Sequence, residues 1–419
     1  MLRVSAYAWS MIVVVVIPGF VAVVSSVAGP ACSKRKSAPQ QKTLVRLMHT
    51  FQGSEAVALG DAIAGFETRE PLTIEQTPVP FYLAKNAIDK ELSQPECVDL
   101  LRIDATWLAE LVAENRLRPV PGLVLKGRDW LPAALALGAI AGVQYGLPQS
   151  IDGLALIYRR DIGASLGESW PARDVEELVA AMRRLADTRG HRPFGVRNAG
   201  YWFVPFLRAW GSQLPDPETG CVHIDSPASL RALQKFAQLF GSIAPQPTPT
   251  GEEAKQEIRR YRAGSLSVVL TGPWAVTDLT DGDTGDIGVA PMPGAPLSGQ
   301  LYVVPTCAGA PDEGWHLASL LTSVELQVAW AARLRVIPTA RDSMARADDF
   351  VREFFQALAN AQPLPKHRVA SELFEDLDPA LRSLVSGHAS AEEIQAVLTE
   401  AWSKRLAHHD ITPRTGCTQ

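Results

Sequence analysis

The sequence has little net charge of either sign and lacks a basic surface pattern. Its 419 residues include 40 Lys and Arg against 45 Asp and Glu, for a formal net charge of -5. No stripe of Lys and Arg interleaved with aromatic residues occurs, although binding to a phosphate backbone favours one. We therefore expect no nucleic-acid partner. With 47% hydrophobic residues, the chain can bury a large core and is long enough for two domains.

Catalytic and cofactor motifs are also missing. The sequence contains no G-x-S-x-G, no H-E-x-x-H, no Walker A motif and no G-x-G-x-x-G after a strand. The acidic run at residues 281–286 departs from a calcium loop, with Asp286 at the glycine position and Met292 at the twelfth. We expect no metal, no cofactor and no enzyme of these classes. A carboxylate pair for glycoside hydrolysis stays open, because its separation is a property of the fold.

The amino-terminal segment differs from the rest of the chain. Arg3 precedes an uncharged stretch at residues 4–31 with a long apolar centre, which is the layout of an export signal. The competing interpretation is a retained signal anchor, although Pro18 interrupts the run. We predict a signal peptide at residues 1–31, a polar tether at residues 32–42, and an exported protein in the periplasm or on the outer face of the cell membrane.

Cysteine is scarce, with five residues in the chain. Cys32 directly follows the small residues of the signal, where a bacterial lipoprotein carries its acylated cysteine, so we predict lipidation there. Ordinary cleavage that leaves a free thiol is the alternative. The other four are an even number for an oxidising compartment, and their wide spacing fits no zinc motif: Cys97, Cys221, Cys307 and Cys417. Their pairing cannot be read from the sequence.

Apolar periodicity predicts an α/β domain in the first part of the chain. Alternation at residues 43–51 and 72–79 predicts strands, and helical spacing at residues 55–66 predicts a helix between them. The apolar run at residues 97–104 is typical of a strand that is covered on both faces. Strands alternating with helices favour a mainly parallel sheet.

A second unit is predicted to begin near Ile151 and to be richer in helix. Asp174 and Glu177 resemble a capping box, and Ser226 before Pro227 marks another helix start. Short apolar runs predict further strands at residues 267–270, 286–292 and 301–305, and the tail from Gly314 onward reads as mostly helical.

Aromatic and polar side chains gather at the ends of the predicted strands, where open α/β sheets bind ligands. They are His49, Thr50, Phe51, Asp104, Asp152, Tyr201, Trp202, Trp274 and Tyr302. Sugar rings offer apolar faces for stacking, and their hydroxyls donate to carboxylates. The joint position of these residues predicts a sugar pocket, although each aromatic ring could instead pack in the core.

Five segments occur in the order of a known family. They are CVDLLRIDATWLAELVAENRLRPV, YGLPQSIDGLALIYRRDI, YRAGSLSVVLTGPWAVTDL, DIGVAPMPG and SVELQVAWAARLRVIPTARDS. In this order the chain, from about Leu44 to Leu406, resembles the extracellular solute-binding proteins of ABC importers. The likeness is to the carbohydrate-binding family that includes maltose-binding protein.

The resemblance implies an α/β, two-lobed periplasmic-binding-protein-like (class II) fold with a hinge and an interlobe ligand cleft. Lobe 1 would hold residues 43–151 plus about 303–335, and lobe 2 residues 152–302 plus about 336–419. The protein would be a monomer that binds a sugar or polyol and delivers it to ABC permease subunits in the membrane, without catalysis. A secreted carbohydrate-active hydrolase and a solute-sensing or adhesion lipoprotein are the alternatives.

The resemblance also assigns roles to site residues. Trp274, after the turn at Gly272, would be a stacking platform for a sugar ring, and core packing is its alternative role. Asp152 would accept hydrogen bonds from hydroxyls. The opposite lip would carry Asp104 and the residues after the first strand, which are His49, Thr50, Phe51 and Gln52.

Two further positions complete the set that the resemblance implies. Tyr201 or Trp202 would face Trp274 across the cleft. Arg368 lies where some relatives have an aromatic residue. This departure predicts a ligand that is smaller or more polar than a maltodextrin.

Overall fold

Two β-sheets organise the chain in the computed structural model, which describes residues 42–167, 170–248 and 252–417. The predicted signal peptide, Cys32 and all but the last residue of the predicted tether lie outside these residues. Both sheets lie in one compact unit, Lys42–Gln419. Among the described residues, no helix combines the length and apolarity that crossing a membrane requires.

The strands follow in chain order. They are β1 (Thr43–His49), β2 (Leu72–Pro78), β3 (Leu100–Asp104), β4 (Ala139–Ile140), β5 (Val143–Gln144), β6 (Leu147–Gly153), β7 (Ala155–Arg159), β8 (Phe194–Gly195), β9 (Val268–Thr271), β10 (Ile287–Pro291), β11 (Pro296–Val303) and β12 (Gln362–Pro363).

The helices lie between and after these strands along the sequence. They are α1 (Gly53–Arg69), α2 (Phe81–Glu91), α3 (Leu108–Ala113), α4 (Gly122–Leu125), α5 (Pro132–Leu137), α6 (Arg160–Leu166), α7 (Val175–Arg189), α8 (Gly200–Ala209), α9 (Pro227–Leu239), α10 (Glu253–Arg262), α11 (Val276–Thr280), α12 (Pro311–Leu321), α13 (Val324–Leu334), α14 (Arg341–Ala345), α15 (Asp349–Ala357), α16 (Ala370–Val385) and α17 (Ala391–His408). Short 3₁₀ turns at Ala105–Trp107 and Pro273–Ala275 precede α3 and α11.

The first sheet combines strands that are far apart in the sequence, from β1 to β12. Its order is β12-β11-β3-β1-β2, and β6 pairs with β11 as well. β1 lies parallel to β2 and β3, as the alternation of strands with helices predicted. β11, in contrast, lies antiparallel to β3 and to β6. In this register Gln300 pairs with Asp104 on one side and Ser150 on the other. Side chains at paired positions point to the same face of a sheet, so polar residues meet on that face.

The second sheet has the order β10-β7-β9-β8. The predicted runs at residues 267–270 and 286–292 form β9 and β10, and helices α7, α8 and α9 supply its apolar cover. Phe203, Phe206 and Phe236 interlock in that layer, and each side chain is fully buried. A separate apolar cluster under β1 and β3 includes Leu47 and Leu100.

Two chain segments pass between the sheets next to each other. β6 continues into β7 through Leu154 alone, and β10 continues into β11 through residues 292–295. Gly153 has little room, because a Cβ there would stand 2.7 Å from Leu358 Cδ2 and 3.0 Å from the Pro296 carbonyl oxygen. The two crossings therefore pack closely.

Predicted helix starts are present with one difference. The Asp174 carboxylate caps α7 by accepting from the Glu177 backbone N–H at 2.8 Å, and Ser226 caps α9. The Glu177 carboxylate, however, accepts from the Arg173 backbone N–H rather than from Asp174. The capping box is thus half formed, because Arg173 also offers its guanidinium to the same carboxylate.

Two disulfides connect distant parts of the chain. Cys97 bonds to Cys307, across 210 positions, and Cys221 bonds to Cys417, across 196. The first pair links the segment before β3 to the segment after β11, and the second links the region before α9 to the carboxyl terminus. The pairing uses all four cysteines that the structure describes.

We expect the double variant Cys97→Ser, Cys307→Ser to be less stable than the wild type by about 2–5 kcal/mol, because a long loop loses its closure constraint in the unfolded chain. Guanidinium unfolding under oxidising conditions measures the difference. As an internal control, a reductant should lower the stability of the variant by less than that of the wild type, since one pair is already gone. Equal midpoints for the two oxidised proteins would contradict the prediction.

Candidate functional site

A row of polar side chains lies on one face of the first sheet around β11. Ser298 Oγ donates to Asp104 Oδ1 at 3.3 Å, and Gln300 Nε2 donates to Asp104 Oδ2 at 3.2 Å. On the other side of β11, Ser150 Oγ donates to Asp152 Oδ1 at 3.1 Å. Strand register therefore brings the two predicted carboxylates to one surface from positions 48 residues apart.

Asp104 is firmly held at the end of β3. Its Oδ1 also accepts from the Thr106 backbone N–H at 2.9 Å and from Thr106 Oγ1 at 2.7 Å. Burial raises the pKa of Asp104, and the hydrogen bonds from Thr106, Ser298 and Gln300 oppose that rise. A carboxylate held in this way offers a ligand a fixed acceptor.

Arg102 lies beneath this row, with its side chain almost wholly buried. Its Nε donates to Gln149 Oε1 at 3.0 Å, and its Nη1 donates to Thr50 Oγ1 at 2.5 Å. The guanidinium carbon lies 4.0 Å from the centre of the Phe51 ring, and Nη2 lies 4.0 Å from Glu55 Oε1. Two of the predicted residues, Thr50 and Phe51, thus hold an arginine in place.

Two more carboxyl groups stand close to this arginine. Burial raises the pKa of Glu55 to about 7 and that of Asp152 to about 6, while Arg102 opposes both shifts. Asp104 adds to the shift of Asp152, and Asp152 and Asp278 add to that of Glu55. The site therefore concentrates negative charge that a single buried guanidinium compensates in part.

Three aromatic rings, two from α8 and one from the 3₁₀ turn after β9, form a cluster next to the second sheet. The Trp274 ring lies 6.4 Å from Trp202 and 6.5 Å from Tyr201, measured between centroids. Trp202 Nε1 donates to the Leu270 carbonyl oxygen at 2.8 Å, which anchors it to the end of β9. A Cβ at Gly272 would stand 1.9 Å from Cζ3 of Trp274, so this ring folds back over a glycine that must remain unsubstituted.

The Tyr201 hydroxyl brings the two groups together. Burial raises the pKa of Tyr201 well above its usual value, and the negative charges of Asp104 and Asp152 raise it further, against Arg208. Arg208 itself donates to backbone carbonyls, at 3.1 Å to Gln362 and to Pro363. The carboxylates beside β11 and the aromatic rings beside β9 therefore lie close together, and the region between them is called the cleft.

The other predicted residues lie around this cleft at different depths. The His49 pKa falls to about 4 through burial and the nearby Arg102, so the imidazole is neutral near pH 7. Tyr302 is fully buried beside Arg102 in the strand register, and its pKa rises through burial. Gln52 is exposed at the start of α1.

Arg368 is not brought to this cluster. Its Nη2 donates to the His409 carbonyl oxygen at 3.0 Å and lies 3.8 Å from the Asp410 carboxylate. The guanidinium thus pairs with the end of α17, where a C-terminal carbonyl favours a cation.

Several site residues were missed by the sequence analysis. These are Glu55, Arg102, Gln149, Ser150, Ser298 and Gln300. A signal was present for most of them, because the short apolar runs LLRID, LPQSID and PLSGQLYV, which form β3, β6 and β11, carry polar or charged residues. A buried polar residue within such a run needs a hydrogen-bond partner, so it is a candidate for a functional role.

Some polar atoms at the cleft have no hydrogen-bond partner in the protein. They include Gln149 Nε2, Gln300 Oε1 and the Tyr201 hydroxyl. Buried polar atoms are nearly always satisfied, so unpaired ones at a cleft point to a ligand. Within the described ranges, no group of three His, Cys, Asp or Glu residues could hold a metal ion. The arrangement can instead bind a molecule with many hydroxyl or amino groups.

Comparisons with known proteins agree with this geometry. The family model described as a bacterial extracellular solute-binding protein matches residues 61–357. A probable ABC transporter-binding protein of Deinococcus radiodurans is 23% identical over 320 residues, which cover 69% of this chain and 74% of that protein.

Solved structures of similar architecture include sugar-bound receptors. The GacH receptor of Streptomyces glaucescens, determined without ligand and with acarbose, aligns with a TM-score of 0.79 and 26% identity, over 87% of this chain and 99% of that one. Maltose-bound MalE3 of T. maritima aligns with a TM-score of 0.77 and 21% identity, over 86% and 99% of the two chains. The two-sheet arrangement is therefore that of these solute-binding proteins.

We expect Asp152→Asn to stabilise the unliganded protein at neutral pH. The folded state keeps a proton on Asp152 that the unfolded chain has lost between pH of about 4 and about 6, so the stability of the wild type falls as pH rises through that window. Asparagine carries no charge, so the variant should gain up to about 3 kcal/mol above the window and little below it.

Thermal unfolding as a function of pH measures this difference. The matched control is Asp129→Asn, at an exposed carboxylate that pairs with Arg341 at the surface, which should show no such pH-dependent gain. A variant that is destabilised equally at every pH would contradict the prediction and assign Asp152 a purely structural hydrogen bond.

Proposed function

The chain belongs to the family of bacterial extracellular solute-binding proteins, and we propose that it binds a sugar or related polyhydroxylated solute in the cleft between its two sheets. The family is extracellular, and the protein is exported. We further propose that it delivers its solute to the permease of an ABC importer, that it acts as a monomer, and that acylation of Cys32 anchors it to the membrane surface.

The observation that carries this proposal is the set of hydrogen-bonding groups that the cleft leaves unpaired. Gln149 and Gln300 offer a donor and an acceptor from the first sheet, and Tyr201 offers a hydroxyl from the opposite side. A sugar ring carries hydroxyls around its rim, and each can donate and accept. These groups are spread over both sides, so one small polyol can satisfy them together.

The aromatic cluster supplies the complementary apolar contact. Trp274 is half-buried, and its ring is packed over Gly272 and beside Trp202. A ring already fixed by its neighbours loses little conformational freedom when a sugar face stacks on it. The cleft thus offers the combination that carbohydrate binding requires, which is a rigid aromatic face next to a row of polar acceptors.

The ligands of similar proteins support a carbohydrate. The Streptomyces glaucescens receptor was determined with acarbose, MalE3 of T. maritima with maltose, and a Thermus thermophilus protein with maltotriose.

Contacts between the two sides suggest how binding changes the protein. Ser371 of α16 donates to the Glu110 carboxylate of α3 at 2.5 Å, and the Asp278 carboxylate of α11 stands beside Gly53, the first residue of α1. We propose that a solute which contacts both sides stabilises this closed arrangement and shifts the population toward it. The neighbouring crossings at Gly153 and residues 292–295 would act as the hinge, which would place β11 with the first sheet.

The alternative of a glycoside hydrolase is weaker. Such an enzyme needs one carboxyl group as a proton donor and another as a nucleophile or base. Asp104 instead accepts hydrogen bonds from Thr106, Ser298 and Gln300, which favour its charged form and disfavour the role of proton donor. We therefore assign the carboxylates to binding, and a secreted hydrolase would be revealed by product release from a glycoside.

Ligand-dependent thermal stabilisation without turnover is the expected result of a screen over monosaccharides, disaccharides, polyols and glycerol phosphodiesters. A ligand present at about a hundred times its Kd should stabilise the folded state by about 2.7 kcal/mol. Differential scanning fluorimetry detects the shift, and chromatography of the same samples tests for hydrolysis. Stabilisation by none of these compounds would count against a carbohydrate solute, and product formation would favour the hydrolase.

We expect Trp274→Ala to weaken binding of the identified solute by roughly tenfold or more while the protein stays folded, because the stacking surface is lost. Gly272→Ala should act in the same direction, since its methyl group would displace the ring. Calorimetric titration measures the affinity. The control is Trp210→Ala, whose ring packs on Phe206 away from the cleft and should affect stability alone. Equal losses of stability and binding for Trp274→Ala would assign that ring to the core.

A further inference from the structure

The cleft holds several carboxyl groups and few cations. Asp104 and Asp152 lie on either side of β11, Glu55 lies 4.0 Å from Arg102, and Asp278 lies beside Gly53 at the start of α1. Arg102 is the guanidinium within this group, and Arg208 stands near Tyr201. The acidic side chains therefore outnumber the basic ones.

Neither arginine is available to neutralise the whole group. Arg102 donates to Gln149 and Thr50 and lies 4.0 Å from Glu55 at the base of the site. Arg208 donates to four backbone carbonyls, of Gly294, Ala295, Gln362 and Pro363. The carboxylates that face the cleft thus carry negative charge that the protein balances in part.

The hydrogen-bond inventory points in the same direction by an independent route. Gln300 is 7% exposed, and its Nε2 donates to Asp104, while its Oε1 has no partner. Gln300 Oε1 thus adds an unpaired acceptor next to two carboxylates, while Gln149 Nε2 is the unpaired donor on this side of the cleft. The acceptors would be satisfied by a ligand that donates several N–H or O–H bonds.

A protonated amine meets both requirements at once. An ammonium group provides several donors and a full positive charge, whereas a hydroxyl provides one donor and no charge. A bare metal ion is a poorer match, since no group of three metal-ligating side chains exists in the described part of the chain. The rings of Tyr201, Trp202 and Trp274 would receive a sugar face, and they attract a cation as well.

We propose that the solute is an amino sugar, a carbohydrate with a basic amine, and that this amine binds between Asp152 and Asp104. The inference rests on the proposed function and narrows its solute class. Thr106 and Ser298 hold Asp104 in place, and Ser150 holds Asp152. The two carboxylates are therefore preorganised to bind the cation. The hydroxyls of the sugar would then pair with Gln149, Gln300 and Tyr201.

The test compares probes that share ring and linkage and differ in the amine. The first set is the β-1,4-linked glucosamine disaccharide, its N,N′-diacetyl form and cellobiose. The second set is glucosamine, galactosamine and mannosamine with their neutral parent sugars. Calorimetric titration is carried out with the mature protein near pH 7, above the Asp152 pKa of about 6, so that Asp152 is ionised while most of the amine is still protonated.

We expect at least one aminated probe to bind about tenfold or more tightly than its acetylated and hydroxyl counterparts. If neutral sugars bind as well as the aminated ones, the inference is overturned and carbohydrate binding stands. If no aminated probe binds, the inference is overturned as well, and binding of neutral sugars in the wider screen then decides whether the proposed function survives.

Variants separate the charge effect from general damage to the site. Asp152→Asn keeps size and a hydrogen-bonding group, so it should reduce the ratio of aminated to neutral affinity by about tenfold while the protein remains folded. Glu55→Gln, the second variant, should also reduce this ratio. Asp129→Asn, at an exposed carboxylate, is the control and should leave the ratio unchanged. If Asp152→Asn and Glu55→Gln both leave the ratio of aminated to neutral affinity unchanged, the proposed ammonium site between Asp104 and Asp152 is refuted.

Discussion

One buried guanidinium sets the geometry of the cleft. Removing Arg102 from water is costly, and the cost is met by Thr50, Gln149, Glu55 and the face of Phe51. These partners come from the loop after β1, the start of β6 and the first turn of α1. Each partner is held in position by the same cation, so the polar floor of the site is assembled by folding itself and does not await the ligand.

The sheets supply the second constraint. β11 enters from the second sheet and lies between β3 and β6, which places Ser298 and Gln300 between Asp104 and Asp152. Strand register therefore determines which polar groups are neighbours, and the adjacent crossings at Leu154 and residues 292–295 keep the aromatic cluster opposite them. A shift of one residue in β11 would turn these polar side chains to the other face.

Local patterns predicted much of the fold. The strands β1 and β2, helix α1, the cap at Ser226 and the helical tail follow from periodicity and capping, which act within a few residues. Asp104, Asp152 and the aromatic cluster were predicted as neighbours from strand ends and family order. Arg102 and Glu55 were not, because their role depends on a partner about 50 positions away, and no local pattern records that distance. Disulfide pairing was equally out of reach of the sequence.

The stability of the folded protein differs between its reduced form and the form in which both disulfides are present. Thiols remain reduced in the cytosol and oxidise after export. Cys97 and Cys307 lie far apart in the chain, as do Cys221 and Cys417, so neither pair constrains the chain while it is being made. The polypeptide that must be threaded across a membrane is accordingly the less stable form. The cysteines are then oxidised after export, and the disulfides stabilise the fold in the compartment where the solute is found.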